Sequence, residues 1–274
     1  MRVDIYDSNF QKIDLEALDI ITDNFRISSP APKHERTEMK YGRVTLGTSL
    51  EGRSMTVAFH IHGRDKYDFV LLRDELYNYL SGLDFLYIID RLNPAKRWKV
   101  KVESSYEAVA VATVLAVFDI EFTSDSPYCE SLGMTTDPLT FDSEMWQFGQ
   151  GLLSDDDINY TKTDDKFRIY NAGNAEIDPR NIHTPLTIEI KVGVTSSNTT
   201  LTLTNTTTGV TWTYTGAVTA GQTIQLKNVQ ALLNGASIFT KTNYKIITLK
   251  QGYNDFTKST NISEVKFINR FYYL

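Results

Sequence analysis

Between Met55 and Ile61 the chain alternates without a break. Met55, Val57, Phe59 and Ile61 fall on one face, and Thr56, Ala58, His60 and His62 on the other. A period of two marks a strand with one face against a core, so SMTVAFHIH is predicted as a half-buried strand. VLAVFDIEFTS at 114–124 repeats the pattern, with Ala116, Phe118, Ile120 and Phe122 on one side and Leu115, Val117, Asp119 and Glu121 on the other. Between these runs the period changes. In DKYDFVLLRDELYNYLSG, Phe69, Leu72, Leu76 and the Tyr79/Leu80 pair recur at helical spacing. Acidic residues occupy the first turn, where the helix dipole favours them, and Gly82 is placed to end the element. The spacing predicts one helix over about 66–81, lying on the sheet with Leu72 and Leu76 buried. LDFLYIID and WKVKVES read as strands joined by RLNPAKR, whose Asn-Pro is a turn signal. An opening strand is expected at Val3–Tyr6. Residues 23–43 are polar, hold Pro30 and Pro32, and read as an extended loop or arm.

The second half is patterned differently. The segment 137–165 contains Gly149, Gly151 and two acidic clusters and reads as a linker with room for short strands. LTIEIKVGV then sets Leu186, Ile188, Ile190, Val192 and Val194 on one face. LTLTNTTTGVTWTYTG is a hairpin candidate, with Leu201 and Leu203 before a turn at Asn205–Gly209, and Val210, Trp212 and Tyr214 after it. TIQLKNV, YKIITLK and EVKFINRFYYL are expected as three more strands, and QGYNDF as a turn. Short alternating strands broken by Gly/Asn turns favour an antiparallel sandwich. The expected architecture is therefore mainly β. A β-sandwich or barrel-like domain over 1–130 carries the one helix, 131–165 forms a hinge, and a second β-sandwich fills 166–274.

Composition narrows the function classes. The chain has 274 residues, 12% of them aromatic, and one cysteine, which excludes an internal disulfide framework and a Cys-rich zinc site. No run approaches the ~18 apolar residues of a membrane span. The opening MRVDIYDSNFQKIDLEALD is acidic and has no apolar core, so synthesis in the cytoplasm is the expectation. A net charge of −6 argues against sequence-independent nucleic-acid binding. Residues 1–135 carry 16 Lys+Arg against 21 Asp+Glu, and the remainder 12 against 13, so neither half offers a basic face by composition.

Candidate chemistry is thin. SPYCESLGMTTDP holds Cys129 between two prolines, and it reads as a nucleophile loop, a metal corner or a domain join. A catalytic thiolate needs an electropositive, base-paired setting, and the four histidines (34, 60, 62 and 183) lie outside this segment. His60 and His62 project from the same strand face but lack the third and fourth ligands a metal requires. Asp155–Asp157 lacks the ligand spacing and glycine of an EF-hand loop. Gly149-Gln-Gly151 falls short of a dinucleotide fingerprint, and there is no G-x-S-x-G, P-loop or HExxH. Without a secretory signal, the sequons at Asn198 and Asn205 read as strand-edge and turn residues. No catalytic, cofactor-binding or metal-binding residue is assigned. Aromatic residues Trp212, Tyr214 and Tyr253 are candidates for stacking on a sugar ring, although Trp212 and Tyr214 share a face with Val210 and fit a core face better.

The order of segments carries a further signal. FRISSPAP precedes YGR; then come a strand bearing Arg53, the helix RDELYNYL, FLYII, the basic-Trp strand KRWKVKV, and DIEFTSDSPYCES. This succession resembles the N-terminal domain of siphophage distal tail proteins, with RDELYNYL and SPYCESLGMTT its most specific pieces and TLKQGYNDF…EVKFINRFYYL similar to the family's last strands. The resemblance implies a virion tail-tip protein whose first domain forms a homo-hexameric ring, followed by a galectin-like or carbohydrate-module-like sandwich. It implies as partners the tail tube protein, a tail-associated fibre or lysin protein, the tape measure protein, and a receptor-binding protein or host-wall glycan. DNA would only pass through the lumen. On this reading SPYCES is the join, and Cys129 has no reaction to perform. A protein recognising wall glycans through its second sandwich is the alternative, and a wall hydrolase is third.

Overall fold

The computed structural model describes residues 1–152 and 158–274, and of Phe141 the backbone only. The chain divides into two compact units, 1–129 with Leu274, and 130–273. Both are built on antiparallel β structure, and no closed barrel forms among the described residues.

In the first unit the strands are β1 (Val3–Tyr6), β2 (Ile20–Ile27), β3 (Pro32–Met39), β4 (Gly42–Leu50), β5 (Arg53–His62), β6 (Leu86–Asp90), β7 (Lys96–Val102), β8 (Ala110–Ala112) and β9 (Leu115–Ser124), with α1 (Lys66–Tyr79) between β5 and β6. The order is β1-β6-β7-β9-β5-β2, with β8 on β9. Strands β5 and β9 pair along their whole length, with Val57 opposite Ile120 and Ile61 opposite Ala116. Their inward residues Val57, Phe59, Ile61, Ile120 and Phe122 are fully buried, as the alternation predicts. Phe118 is only half-buried and stacks on Phe59 and Tyr106, with ring centroids 6.0 and 5.9 Å apart.

The helix ends slightly earlier than its periodicity predicts. Asp65 caps its start, Oδ1 accepting from Tyr67 N at 2.7 Å and Asp68 N at 2.9 Å. Phe69, Leu76 and Leu80 are buried, whereas Leu72, expected in the core, is half-buried at the margin. Gly63 lets the first turn approach β5: a Cβ there would lie 2.7 Å from Phe69 N. Residues 23–43 prove more structured than an irregular arm. Up to Ile27 they pair as β2 with β5. Beyond Pro32, β3 and β4 form a two-stranded hairpin outside the main sheet, closed at Gly42 with φ 111°. Every residue of β3 is exposed.

The second unit begins within β10 (Cys129–Ser131), at Glu130, and contains β11 (Thr161–Lys162), β12 (Lys166–Asn171), β13 (Leu186–Val192), β14 (Ser196–Asn205), β15 (Val210–Val218), β16 (Thr223–Lys227), β17 (Gln230–Leu233), β18 (Ala236–Ser237), β19 (Gly252–Lys258), β20 (Ile262–Asn269) and β21 (Tyr272–Tyr273). One sheet runs β11-β20-β13-β16-β17-β18 and the other β12-β19-β14-β15. They face each other through Phe256 and Phe267, 5.1 Å between centroids, and Phe167 and Phe267, 6.3 Å. The hairpin β14–β15 has the expected register, Leu203 opposite Trp212 and Leu201 opposite Tyr214.

Two expectations are corrected here. YKIITLK is not a strand; Leu249 makes one isolated bridge to Ile177 while Ile247, Thr248 and Leu249 are all buried. The expected turn QGYNDF turns only at its start, where Gly252 has φ 81°, and then runs into β19. Asn254 mimics a turn residue in the sequence but points inward. Its amide bonds Lys250 N and O, and it accepts from Asn205 Nδ2. Between β10 and β11, Ser131 and Thr135 donate backbone N–H groups to Phe271 and Asn269. Trp146 is buried, donates Nε1–H to the Pro138 carbonyl at 2.9 Å, and lies over Gly133, where a Cβ would stand 2.4 Å from the ring.

Candidate functional site

The residues singled out for chemistry are dispersed. Cys129 is buried on β10, and Arg53 from β5 is its charged neighbour. Burial pulls the Arg53 guanidinium below its ordinary value, with Cys129 opposing. Arg53 is committed elsewhere: it donates from Nε to the Ser28 carbonyl at 3.0 Å and lies 5.0 Å from the Trp98 ring. No imidazole stands in this arrangement as a base.

His60 and His62 do share a face of β5, opposite Val117 and Leu115. They line an open concavity with Met1, Arg2 and Asp23. Among the described residues no cluster of three or more His, Cys, Asp or Glu is placed to hold a metal ion. Gly149 and Gly151 adopt positive φ. Asn198 is exposed, while Asn205 is buried and accepts at Oδ1 from Thr207 and Thr208, tightening the β14–β15 turn. The acidic run Asp155–Asp157 lies outside the described residues.

The most tightly held carboxylate is Asp4. Burial would raise its pKa, but hydrogen bonds from Arg91 and Lys12 outweigh that and leave it lowered. Arg91 also binds Glu16, at 2.8 Å. A carboxyl held ionised in this way is unsuited to donate a proton as a general acid.

Of the three aromatic residues considered for sugar stacking, two lie in the core. Trp212 is 2% exposed and Tyr214 1%, because the Val210/Trp212/Tyr214 face turns towards the opposite sheet. Tyr253 projects the other way and is 42% exposed, beside Tyr170 at 4.8 Å and the Arg168 guanidinium at 5.5 Å. Phe239 and Tyr244, which carry no alternation signal, form a second exposed pair in edge-to-face contact at 4.7 Å.

The surfaces suited to assembly are on the first unit. The β3–β4 hairpin exposes Met39, Tyr41, Val44 and Leu46 together with both backbone edges, since neither strand pairs with another sheet. Unpaired edges are templates for a further strand. Helix α1 adds exposed Tyr67 and Leu71.

These features, an antiparallel sheet with one packed helix and a projecting ribbon, coincide with a known domain. The phage tail protein RIFT-related domain family matches residues 9–124. This segment is similar to a phage tail protein domain. The match spans β2 to β9 of the tail domain, including the hairpin and the helix. The whole chain is similar in fold to the Dit protein (gp 19.1) of phage SPP1, described as a paradigm of the hub of the adsorption apparatus in phages infecting Gram-positive hosts. The TM-score is 0.71 at 14% identity, covering 99% of this chain and 100% of that one. A chain from the activated baseplate of phage p2 aligns at a TM-score of 0.48 and 11% identity, over 98% of this chain and 97% of that one. No curated protein matches in sequence. The resemblance to siphophage distal tail proteins read from the segment order is thus borne out, as is a mainly β fold of the distal-tail type. The matched family is one of phage tail proteins, and the fold over the whole chain is similar to that of a tail hub protein. Among the described residues no helix is long and apolar enough to cross a membrane.

Proposed function

We propose that this protein is the hub of a siphophage tail tip, a homo-hexameric ring joining the tail tube to a tail-associated fibre or lysin protein. The reading rests on the β3–β4 ribbon, exposed along all of β3 and most of β4, within a segment similar to a phage tail domain. A ribbon with two unpaired edges has little use in a monomer, and in a ring it reaches the next subunit as a heterologous contact that closes by rotation. Domain 1–130 forms the ring, 131–165 is the hinge, and 166–274 is a sandwich on the rim, available to a receptor-binding protein. The tape measure protein, and later DNA, occupies the lumen. The acidic balance of the first half leaves phosphates repelled, not bound. The protein acts by matching surfaces and catalyses no reaction.

The test is assembly. Light scattering and negative-stain imaging of the full chain are expected to show rings, alone or with the tail tube protein. Replacing Pro32–Leu50 by a short Gly/Ser linker is expected to leave each subunit folded and abolish the rings. Rings that persist without the ribbon would refute its role, and a monomer under all these conditions would refute the hub. The exposed Tyr253, flanked by Tyr170 and Arg168, supports a second reading, in which the sandwich binds wall glycan. Saturable binding of host-wall fragments that is lost in Tyr253→Ala is the outcome expected of it.

A further inference from the structure

At one edge of the second unit's sandwich an apolar cavity of about 30 Å³ opens to solvent. Its walls include Leu186, Ile188, Trp212, Leu226 and Ile247, all buried. Its rim is apolar too, yet exposed: Val229 at 48%, Phe239 at 44% and Tyr244 at 57%. Water gains nothing from such a rim, and burial of these side chains against a partner recovers the hydrophobic term.

The rim is held rigidly. Asn243 clamps it to β15, Oδ1 accepting from Thr213 N at 3.1 Å and Nδ2 donating to the Thr211 carbonyl at 2.7 Å. Its own N–H donates to the Thr213 carbonyl at 3.1 Å. Next to this clamp Tyr244 has φ 59°, a left-handed conformation that a bulky residue rarely adopts. The local structure keeps an aromatic ring outward against its backbone preference, so a docking partner meets a ring already ordered.

Charge decides what that partner is. From Lys191 to Asn254 the chain contains lysines 191, 227, 241, 245 and 250 and not one aspartate or glutamate. Lys245 lines the cavity, while Lys227 and Lys241 adjoin the lining residues Leu226 and Thr242 in the chain. The carboxylates nearest in sequence to the walls are engaged: Asp178 with Arg180 at 2.6 Å, and Glu189 with Gln225 at 3.0 Å. The lining thus holds one cation, Lys245, and no carboxylate, in a protein whose net charge is −6.

We propose that this cavity is a docking pocket for an acidic polypeptide segment, which seats the end of one aliphatic or aromatic side chain in the cavity against the Phe239–Tyr244 pair and lays a carboxylate against Lys245. A sugar is disfavoured as occupant. The space takes the end of one side chain and not a pyranose ring, which needs several convergent polar partners. Besides the ring groups of Trp212 and Tyr244, the lining supplies Gln230, Thr242 and Lys245, and Thr242 Oγ1 already donates to the Phe239 carbonyl. The inference is independent of ring formation and concerns a different unit.

The full chain would be panned against a random-peptide display library, with the Phe239→Ser protein as counter-selection. Enriched peptides are expected to carry Leu, Ile or Phe flanked by Asp or Glu. Titrated into the full chain, a synthetic copy should lose roughly 30-fold in affinity on Phe239→Ser, the effect of one hot-spot side chain. The exposed Lys245→Glu should weaken it as well and flatten its salt dependence, with an unchanged melting curve as the check on folding. Peptides without acids or without an apolar anchor, equal affinity for wild type and Phe239→Ser, or no enrichment at all would overturn the proposal. So would preferential displacement of the peptide by polyglycerol phosphate.

Discussion

Replacing Leu76 by Ala tests whether α1 is packed on its sheet as described. The side chain is 0% exposed, and the substitution removes about three methylene equivalents. At about 0.8 kcal/mol each the transfer component is about 2.4 kcal/mol. The space left behind brings the cost to about 3 kcal/mol, within the range for buried Leu→Ala. The same helix supplies its controls. Leu71, 68% exposed, should cost less than about 0.5 kcal/mol when truncated, and half-buried Leu72 should fall between. With a urea slope of about 2 kcal/mol per molar, Leu76→Ala should lower the midpoint by about 1.5 M. Hydrogen exchange at β5 and β9 amides assigns that transition to the first unit. The order Leu76, Leu72, Leu71 is the result expected; equal shifts for Leu76→Ala and Leu71→Ala would refute the packing.

Asn254→Ala removes a buried amide that bonds Lys250 N and O, the Gly252 carbonyl and Asn205. Leaving buried polar groups unpaired should cost the second unit about 2–4 kcal/mol by urea titration, with the first unit's transition unmoved. Asp4 has a lowered pKa in the folded state because Arg91 and Lys12 bond it against the opposing effect of burial. Its stabilisation is therefore present above the unfolded carboxylate value of about 4 and is lost as pH falls through the lower folded value. Melting temperatures of wild type and Asp4→Asn should differ at pH 6, with wild type higher, and converge at pH 2; parallel curves would refute the linkage.

The fold was legible wherever one face of an element is wet and the other dry. β5, β9, β13 and the β14–β15 hairpin each announce themselves by period two, and α1 by Phe69 and Leu76. Legibility failed where that contrast is missing. Strands β3 and β4 are wet on both faces, so nothing in their pattern distinguishes a ribbon from a loop. In 244–250 the consecutive residues Ile247, Thr248 and Leu249 are all buried with only the single bridge from Leu249 to Ile177, and in β19 an inward Asn254 substitutes for an apolar residue because other buried polar groups satisfy it. The assembly surface was foreshadowed by the prolines of 23–43. The Phe239–Tyr244 rim was not, since the Asn243 clamp that turns Tyr244 outward is tertiary. Alternation favours the core for Trp212 and Tyr214, which share a face with Val210, and the opposing sheet that buries them bears this out.

The charges of β3 have a consequence for the unassembled molecule. Lys33, Glu35, Arg36 and Glu38 alternate in sign along a strand with no cover on either side. Stacked in parallel register, as in a growing fibril, every such residue would meet its own likeness about 4.8 Å away, so the sticky ribbon carries its own veto against amyloid while it waits for a legitimate neighbour.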